Sequence, residues 1–263
     1  MIKIACVGDN CVDYYDDTKE AFPGGNPVNV AVYIKRLGGD SSYIGAVGND
    51  EYGKLISDSL AAKGVDVSRI KTLDGATALS HVTRVNGDRV FGDYEEGVMA
   101  DFKLDASDID YLVSFDLVVT GLWGRTENYL KAIHDKGIPV AFDGAERPFD
   151  EAGLIALPSV DIAFFSDDKA TDEQIKAKIL EVAAKGPKIV VATRGSIGSM
   201  AYDGEKFYEC GIVKLEHVVD TMGAGDSFIA GFLLSWLKKK PILECMQDGA
   251  KNSAVTIGYN GAW

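Results

Sequence analysis

The sequence predicts a three-layer α/β fold with a largely parallel central sheet, and three observations predict it. Short continuous apolar runs recur along the chain, as buried parallel strands require. Helical patterns separate most of these runs, and a glycine or a basic residue closes most of the helical patterns. At 263 residues, 46% of them apolar, the chain can bury one sizeable core, so a single domain spanning 1–263 is expected.

Residues 2–7, 43–47, 116–120, 138–142, 161–165 and 188–193 are the strand-like runs. The helical patterns at 27–37, 51–63 and 126–136 stop at Gly38, Gly64 and Gly137. Thr171-Asp172-Glu173-Gln174 has the spacing of a capping box and opens a helix that ends at Gly186-Pro187. Residues 227–236 form another apolar helical run. The rhythm breaks at 77–83 and 89–94, which flank Asn86-Gly87-Asp88, and Asn-Gly marks a hairpin between antiparallel strands. With residues 12–22 they are expected to form a small sheet outside the main layer, the alternative being an edge hairpin that extends the main sheet. Ligands of such folds bind beyond the carboxyl ends of the strands, near a switch point in strand order.

Composition excludes several classes of function. A net charge of −13 argues against nucleic acid and anionic membrane surfaces as partners, although solubility alone accounts for many acidic surfaces. The longest apolar stretch, residues 228–234, is far short of the roughly 20 residues that span a bilayer, so a cytoplasmic protein is expected. Cys6, Cys11, Cys210 and Cys245 lack the spacing of a metal or redox motif and read as reduced thiols. His81, His134 and His217 lie too far apart for a zinc motif.

Asp220-Thr221-Met222-Gly223-Ala224-Gly225-Asp226 stands directly before the apolar helical run at 227–236. A glycine turn that opens a helix offers free N–H groups and the positive end of the helix dipole, which together make an anion site. Asp226 would share that site with the anion, a pairing suited to phosphoryl transfer, and the helix start is expected to lower its pKa. The alternative is that Gly223 and Gly225 only shape a tight loop. A second glycine turn, Gly24-Gly25-Asn26-Pro27, has Asn26 as a natural N-cap and Pro27 at the first helical position. Neither a Walker A motif, nor a G-x-G-x-x-G fingerprint, nor a protein-kinase signature is present.

These two segments together resemble the PfkB (ribokinase-like) family of carbohydrate kinases, which carries a Gly-Gly-Asn segment near the N-terminus and a D-T-x-G-A-G-D segment near the C-terminus. Residues 8–13, 24–33, 89–102 and Gly261-Ala262-Trp263 are similar to the branch of that family that phosphorylates fructosamines. The resemblance implies a ribokinase-like fold with a small β lid at about 12–22 and 76–95. It also implies transfer of the γ-phosphoryl group of ATP to the 6-hydroxyl of a fructosamine such as fructoselysine. Asp226 would then be the base, with the N–H groups of Gly223, Ala224 and Gly225 as the anion hole. Asp9, Asn10, Asp13, Gly24, Gly25, Asn26, Asn29, Phe91 and Asp93 match substrate positions, and Thr193, Gly195, Gly198 and Asn252, with Ser253, match the nucleotide side. Mg²⁺ is implied with ATP, K⁺ is an allowed activator, and a homodimer through the lid is an allowed assembly.

The family's N-x-x-E metal motif is replaced here by Ser166-Asp167-Asp168-Lys169, which leaves Asp168 or Asp167 as the metal ligand, or ATP and water as the main ones. A fructosamine carries a cationic amine beside the sugar. Asp93, Glu95, Glu96 and Asp101 are the carboxylates near the lid, and Arg84, Arg89 and Arg125 are the cations available to a distant carboxylate. Two alternatives stay open: a kinase for another small sugar, nucleoside or differently glycated amino acid, and a non-catalytic sugar- or nucleotide-binding protein on the same fold.

Overall fold

The computed structural model describes residues 1–85 and 88–263, with the side chains of 84–91 outside the description. The first half of the chain forms β1 (Lys3–Val7), β2 (Cys11–Tyr15), β3 (Glu20–Gly24), α1 (Asn26–Arg36), β4 (Asp40–Ile44), β5 (Ala46–Gly48), α2 (Glu51–Ala62), β6 (Lys71–Leu73), β7 (Leu79–Val85), β8 (Asp88–Glu95), α3 (Ala106–Leu112) and β9 (Leu117–Gly121). The second half forms α4 (Leu130–Asp135), β10 (Val140–Asp143), α5 (Glu151–Ala156), β11 (Ile162–Ser166), α6 (Asp172–Ala183), β12 (Ile189–Thr193), β13 (Ser199–Tyr202), β14 (Phe207–Cys210), α7 (Ala224–Leu237) and α8 (Ile242–Thr256).

The main sheet has eight strands in the order β14-β13-β12-β11-β10-β9-β1-β4. From β12 to β4 all neighbours are parallel, and β13 and β14 add an antiparallel edge. Successive strand residues point to opposite layers, as the pleat demands. Ile4, Cys6, Val119, Phe164 and Val191 pack with α1 and α7 on one face. Ala5, Val7, Val118, Phe165 and Val190 pack with α4 and α6 on the other. Burying a large apolar side chain is worth about 1.5–3 kcal/mol, so this double-sided core holds the three layers together. The fold is the three-layer α/β arrangement with a largely parallel sheet that the sequence predicts.

Several local details differ from expectation. The run at 43–47 divides at Gly45. A Cβ at Gly45 would lie 2.0 Å from the Tyr43 hydroxyl, and the chain leaves the main sheet there to form β5, which pairs with β6. The helix expected over 126–136 shortens to α4, because the buried Thr126 hydroxyl bonds Thr120 Oγ1 at 2.7 Å and 126–129 form a turn. The edge hairpin β13–β14 was not expected, and its entry depends on Gly198 at φ 115°, where a Cβ would meet the Cys210 carbonyl at 2.2 Å. The N-cap of α1 is Gly25 and not Asn26, so the Asn26 side chain is free for another task.

Residues 77–83 and 89–94 do pair antiparallel, as β7 and β8. They belong to a separate four-stranded sheet, β3-β2-β7-β8, rather than to the edge of the main sheet. The Asn86-Gly87 turn lies outside the described residues, as do the side chains of Arg84, Arg89 and Phe91. The capping box at Thr171 and Gln174 is present, with both reciprocal bonds made. Among the described residues no helix is long and apolar enough to cross a membrane.

Candidate active site

Strand order reverses at β1, which has β4 on one side and β9 on the other, so a crevice opens beyond the carboxyl ends of β1, β9 and β10. Asp9 follows β1, Asp143 ends β10, and Asp226 lies in the first turn of α7. The two asparagines of α1 tie these carboxylates together. Asn26 Nδ2 donates to Asp143 Oδ2 at 2.9 Å and to Asp226 Oδ1 at 2.7 Å, while Asn29 Nδ2 donates to Asp226 Oδ2 at 2.7 Å. The Asn26 backbone N–H donates to Asp9 Oδ2 at 3.3 Å. Gly25, at φ 105°, lets α1 start against the loop after β1, since a Cβ there would lie 2.7 Å from Asn10 Cα.

The electrostatics follow from this crowding. Desolvation, and then the negative charge of Asp226, push Asp9 up to about 7 and Asp143 up to about 7. Desolvation pushes Asp226 up to about 6 against the opposing hydrogen bonds from Asn29 and Asn26. The helix start was expected to lower the Asp226 pKa, and desolvation outweighs it. Asp143 was missed in the sequence. It stands in Phe142-Asp143-Gly144, which reads as a strand end and carries no motif of its own.

No donor among the described residues reaches Asp9 Oδ1, Asn10 Oδ1 or Asn26 Oδ1. Asp9 and Asn26 thus keep acceptors in the crevice for hydroxyl groups. Asp13, on β2, receives the Cys11 thiol at 3.6 Å and crowds Gly24, where a Cβ would come within 2.7 Å of Asp13 Oδ2. Asn10 also keeps its acceptor, but its NH₂ group and the whole Asn29 amide are engaged within the fold. Asn10 Nδ2 is buried on Tyr43 Oη and the Ala46 carbonyl, at 2.8 and 2.7 Å. Asn29 has its amide engaged at both ends, by Asp226 and by Trp263 Nε1 at 2.8 Å. Asp93 is exposed and acts electrostatically on His81, so it is not brought to the Asp9 group. Tyr94 is placed there instead, its hydroxyl pKa raised by burial and then by Cys11 and Asp9. Beside it Arg125, itself at φ 53°, donates Nε–H to Glu96 Oε1 at 2.6 Å.

A cleft of about 890 Å³ runs from the glycine loop of α7 along Thr193, Gly195, Ser196, Gly198 and Ser253, with Val213, Leu215, Val218 and Ile257 as apolar walls. Gly223, at φ 71°, fits against Tyr33 and Ala262, where a Cβ would meet Tyr33 Oη at 2.2 Å. A Cβ at Gly225 would meet nothing within 4 Å. The Ala224 N–H is engaged by the Thr221 carbonyl at 3.2 Å, so of the three residues assigned to an anion hole it is the one already committed. Thr193, Gly195 and Gly198 lie on the cleft wall as expected, and Ser253 lines it while bonding the Ala224 carbonyl at 2.7 Å. Asn252 turns away: it is buried, donates to the Ser227 carbonyl at 2.6 Å and accepts from Arg36 at 2.7 Å.

Asp167 and Asp168 both line the cleft, and Asp167 is also paired with Lys178 at 3.2 Å. Among the described residues no three His, Cys, Asp or Glu side chains gather as a metal site.

Comparison with known proteins places this geometry in a lineage. Over 263 residues, all of both chains, the sequence is 42% identical to fructoselysine 6-kinase of Shigella flexneri. It is 36% identical to a fructosamine kinase of Bacillus subtilis, covering 100% of this chain and 93% of that one. The structure of Arabidopsis thaliana ribokinase with ribose and ATP superposes with a TM-score of 0.87 at 23% identity, covering 99% of this chain and 93% of that one. The pattern of pfkB family carbohydrate kinases matches residues 1–263, and with both glycine loops set at one crevice, the chain belongs to that family.

Proposed function

We propose that this ATP-dependent carbohydrate kinase phosphorylates the 6-hydroxyl of a fructosamine of the fructoselysine type. The observation that carries the proposal is the Asp226 carboxylate, held by Asn26 and Asn29 in the first turn of α7, where the crevice at the strand ends meets the start of the cleft of about 890 Å³. Full-length relatives named for fructoselysine and fructosamine support the substrate class.

The residues present fit ATP. The apolar walls suit a purine, and the open space in front of Gly225 lets phosphate oxygens approach the N–H groups at the start of α7. A magnesium ion would rest chiefly on the phosphates and water, with Asp168 as a protein carboxylate on the cleft wall beside the lysine-paired Asp167. When bound, the metal and nucleotide supply the electrophilic phosphoryl group and neutralise its charge.

In this mechanism the hydroxyl oxygen forms the new P–O bond as the bond to the ADP oxygen breaks, and the hydroxyl proton passes to Asp226. A loose transition state lets that proton leave late, so a carboxylate base is adequate. The raised pKa of Asp226 improves it as an acceptor while leaving it mostly ionised at neutral pH. The N–H groups of Gly223, Gly225 and Asp226 stabilise charge on the moving phosphoryl group, while that of Ala224 stays on the Thr221 carbonyl. Asp9 Oδ1 and Asn26 Oδ1 accept from sugar hydroxyls, consistent with the absence of described protein donors on these two atoms. Asp13 lies near the cationic amine, and Tyr94, Glu96 and Arg125 receive the amino-acid end where the second sheet acts as a lid.

The test is an ADP-release assay with Mg-ATP against fructoselysine, a glycated α-amino acid, fructose, ribose and adenosine, each with and without K⁺. Strong preference for fructoselysine is the expected result. Turnover confined to another sugar would discard the fructosamine, and no turnover with any of them would make the chain a binding protein.

A further inference from the structure

Gly261-Ala262-Trp263 is not absorbed by the mechanism above, yet it reaches the catalytic carboxylate through one intermediary. Trp263 Nε1 donates to Asn29 Oδ1 at 2.8 Å, and Asn29 Nδ2 donates to Asp226 Oδ2 at 2.7 Å. We propose that Trp263 is a positioning residue for the base: its indole N–H dictates which way the Asn29 amide faces and so keeps a donor on the Asp226 carboxylate. The proposal rests on the reading of Asp226 as base.

The chemistry of the three groups leaves one arrangement. An indole N–H only donates, an ionised carboxylate only accepts, and an amide has one end of each kind. Rotating the Asn29 amide by half a turn would set its oxygen against Asp226 and its NH₂ against the indole N–H, two repulsive contacts in a place that excludes water. Without the indole, only the Asp226 contact would select the orientation. Asn29 is buried, so no solvent bond replaces a lost one.

The surroundings make this donor matter. Asp226 forms no ion pair with a lysine, arginine or histidine among the described residues, and its described hydrogen-bond donors are the two amides. The titratable groups that feel its charge are Asp9 after β1, Cys11 on β2, Tyr33 on α1 and Asp143 on β10, none of them cationic. The indole is itself fixed. The Gly261 N–H donates to Asp220 Oδ2 at 2.7 Å, the Ala262 carbonyl accepts from the Tyr33 and Tyr259 hydroxyls, and Lys63 Nζ stands 5.5 Å from the Trp263 ring centre.

The experiment follows kcat and the KM for ATP from about pH 5 to about pH 9 in the wild type, Asp226→Asn, Trp263→Phe, Asn29→Ala and Trp263→Phe/Asn29→Ala proteins. A benzothienylalanine at 263, which keeps the indole shape with sulfur in place of N–H, carries the test if Trp263→Phe does not fold. Loss of the donor disfavours the ionised base. The acid limb of kcat should therefore move up by about one pH unit in Trp263→Phe and in the analogue. Turnover above the limb should be close to wild type, and the KM for ATP should stay within about twofold. Adding Trp263→Phe to Asn29→Ala should move the limb no further than Asn29→Ala alone. An unmoved limb, or a loss of kcat equal at every pH, would overturn the positioning role while leaving Asp226 as base. A wild type without an acid limb, or turnover retained by Asp226→Asn, would overturn both.

Discussion

A carboxylate in the first turn of a helix is ordinarily held below its solution pKa by the helix dipole. Asp226 runs the other way because the crevice strips it of water, and the neutral amides of Asn29 and Asn26 only partly offset that desolvation. Since only the ionised form accepts the hydroxyl proton, turnover should fall as pH drops through about 6, which a kcat profile with fructoselysine reads directly. Asp226→Asn should lower kcat by at least about 10²-fold while circular dichroism and melting temperature hold or improve, because a desolvated charge has been removed. Near-wild-type turnover in the folded variant would sink the assignment. At this scale the sequence was uneven. Asp9, Asn26 and Asp226 were legible because glycine turns and strand ends flank them. The task of Asn29 was hidden, because its partner is 234 residues away and no local pattern records a contact of that range. Asn10 and Asn252 were assigned to ligands through the family resemblance, and here the NH₂ group of each is spent within the fold, on Tyr43 and the Ala46 carbonyl for Asn10 and on the Ser227 carbonyl for Asn252.

Among the elements, the start of α7 separates two glycines that the motif presents as equals. Gly223 is required by its backbone and by Tyr33, whereas Gly225 faces open space. Gly225→Ala should therefore leave the protein folded, and helix propensity predicts a gain of up to about 1 kcal/mol in stability. The same methyl would stand where phosphate oxygens approach, so kcat should fall at least about tenfold. Gly223→Ala should lose stability and activity together, and thermal melts beside ATP kinetics tell the two apart. The strands and helices that place this loop were legible from apolar runs and caps. The β13–β14 hairpin was not, because its turn is set by Asp203, which accepts from the Glu205 and Lys206 N–H groups, and its entry by the φ of Gly198. The length of α4 was misread because one buried threonine pair overrides the helical pattern before it.

The molecule as a whole should show the strain of its site in how stability depends on pH. Asp9, Asp143 and Asp226 have folded-state pKa values above those of the unfolded chain, so the folded state holds more protons between about pH 4 and 7. Stability contributed by these groups is full below the unfolded pKa and is lost as pH rises through the folded values. Asp105 and Asp248 act in the opposite sense. Hydrogen bonds from the Ser107 and Asp108 N–H groups, with Lys71, lower Asp105; Lys240, Lys251 and Ser235 lower Asp248 despite the desolvation that opposes them. Their contribution disappears as pH falls below about 4. The ligand-free protein should thus melt highest near about pH 5 and progressively lower toward pH 8. Asp143→Asn should flatten that decline, and a decline unchanged in this variant would remove Asp143 from the account.

The base is also the point where the ends of the sequence meet: Asn26 and Asp226 are 200 residues apart, and Trp263 and Asn29 are 234 apart. Contacts of such separation are among the last to repay their loop-closure entropy during folding. Peripheral segments, conversely, detach in small openings that need far less free energy than unfolding the sheet. Release of 259–263 would free Asn29 and the Asp220 loop together, leaving the eight-stranded core intact but unable to transfer phosphate. Turnover in a urea titration should accordingly fail before far-UV circular dichroism changes, and amides of 259–263 should exchange with deuterium ahead of those in β1 and β9. Catalytic competence in this kinase is then a reporter of completed assembly: a chain whose distant parts have not yet joined holds a formed sheet but spends no ATP.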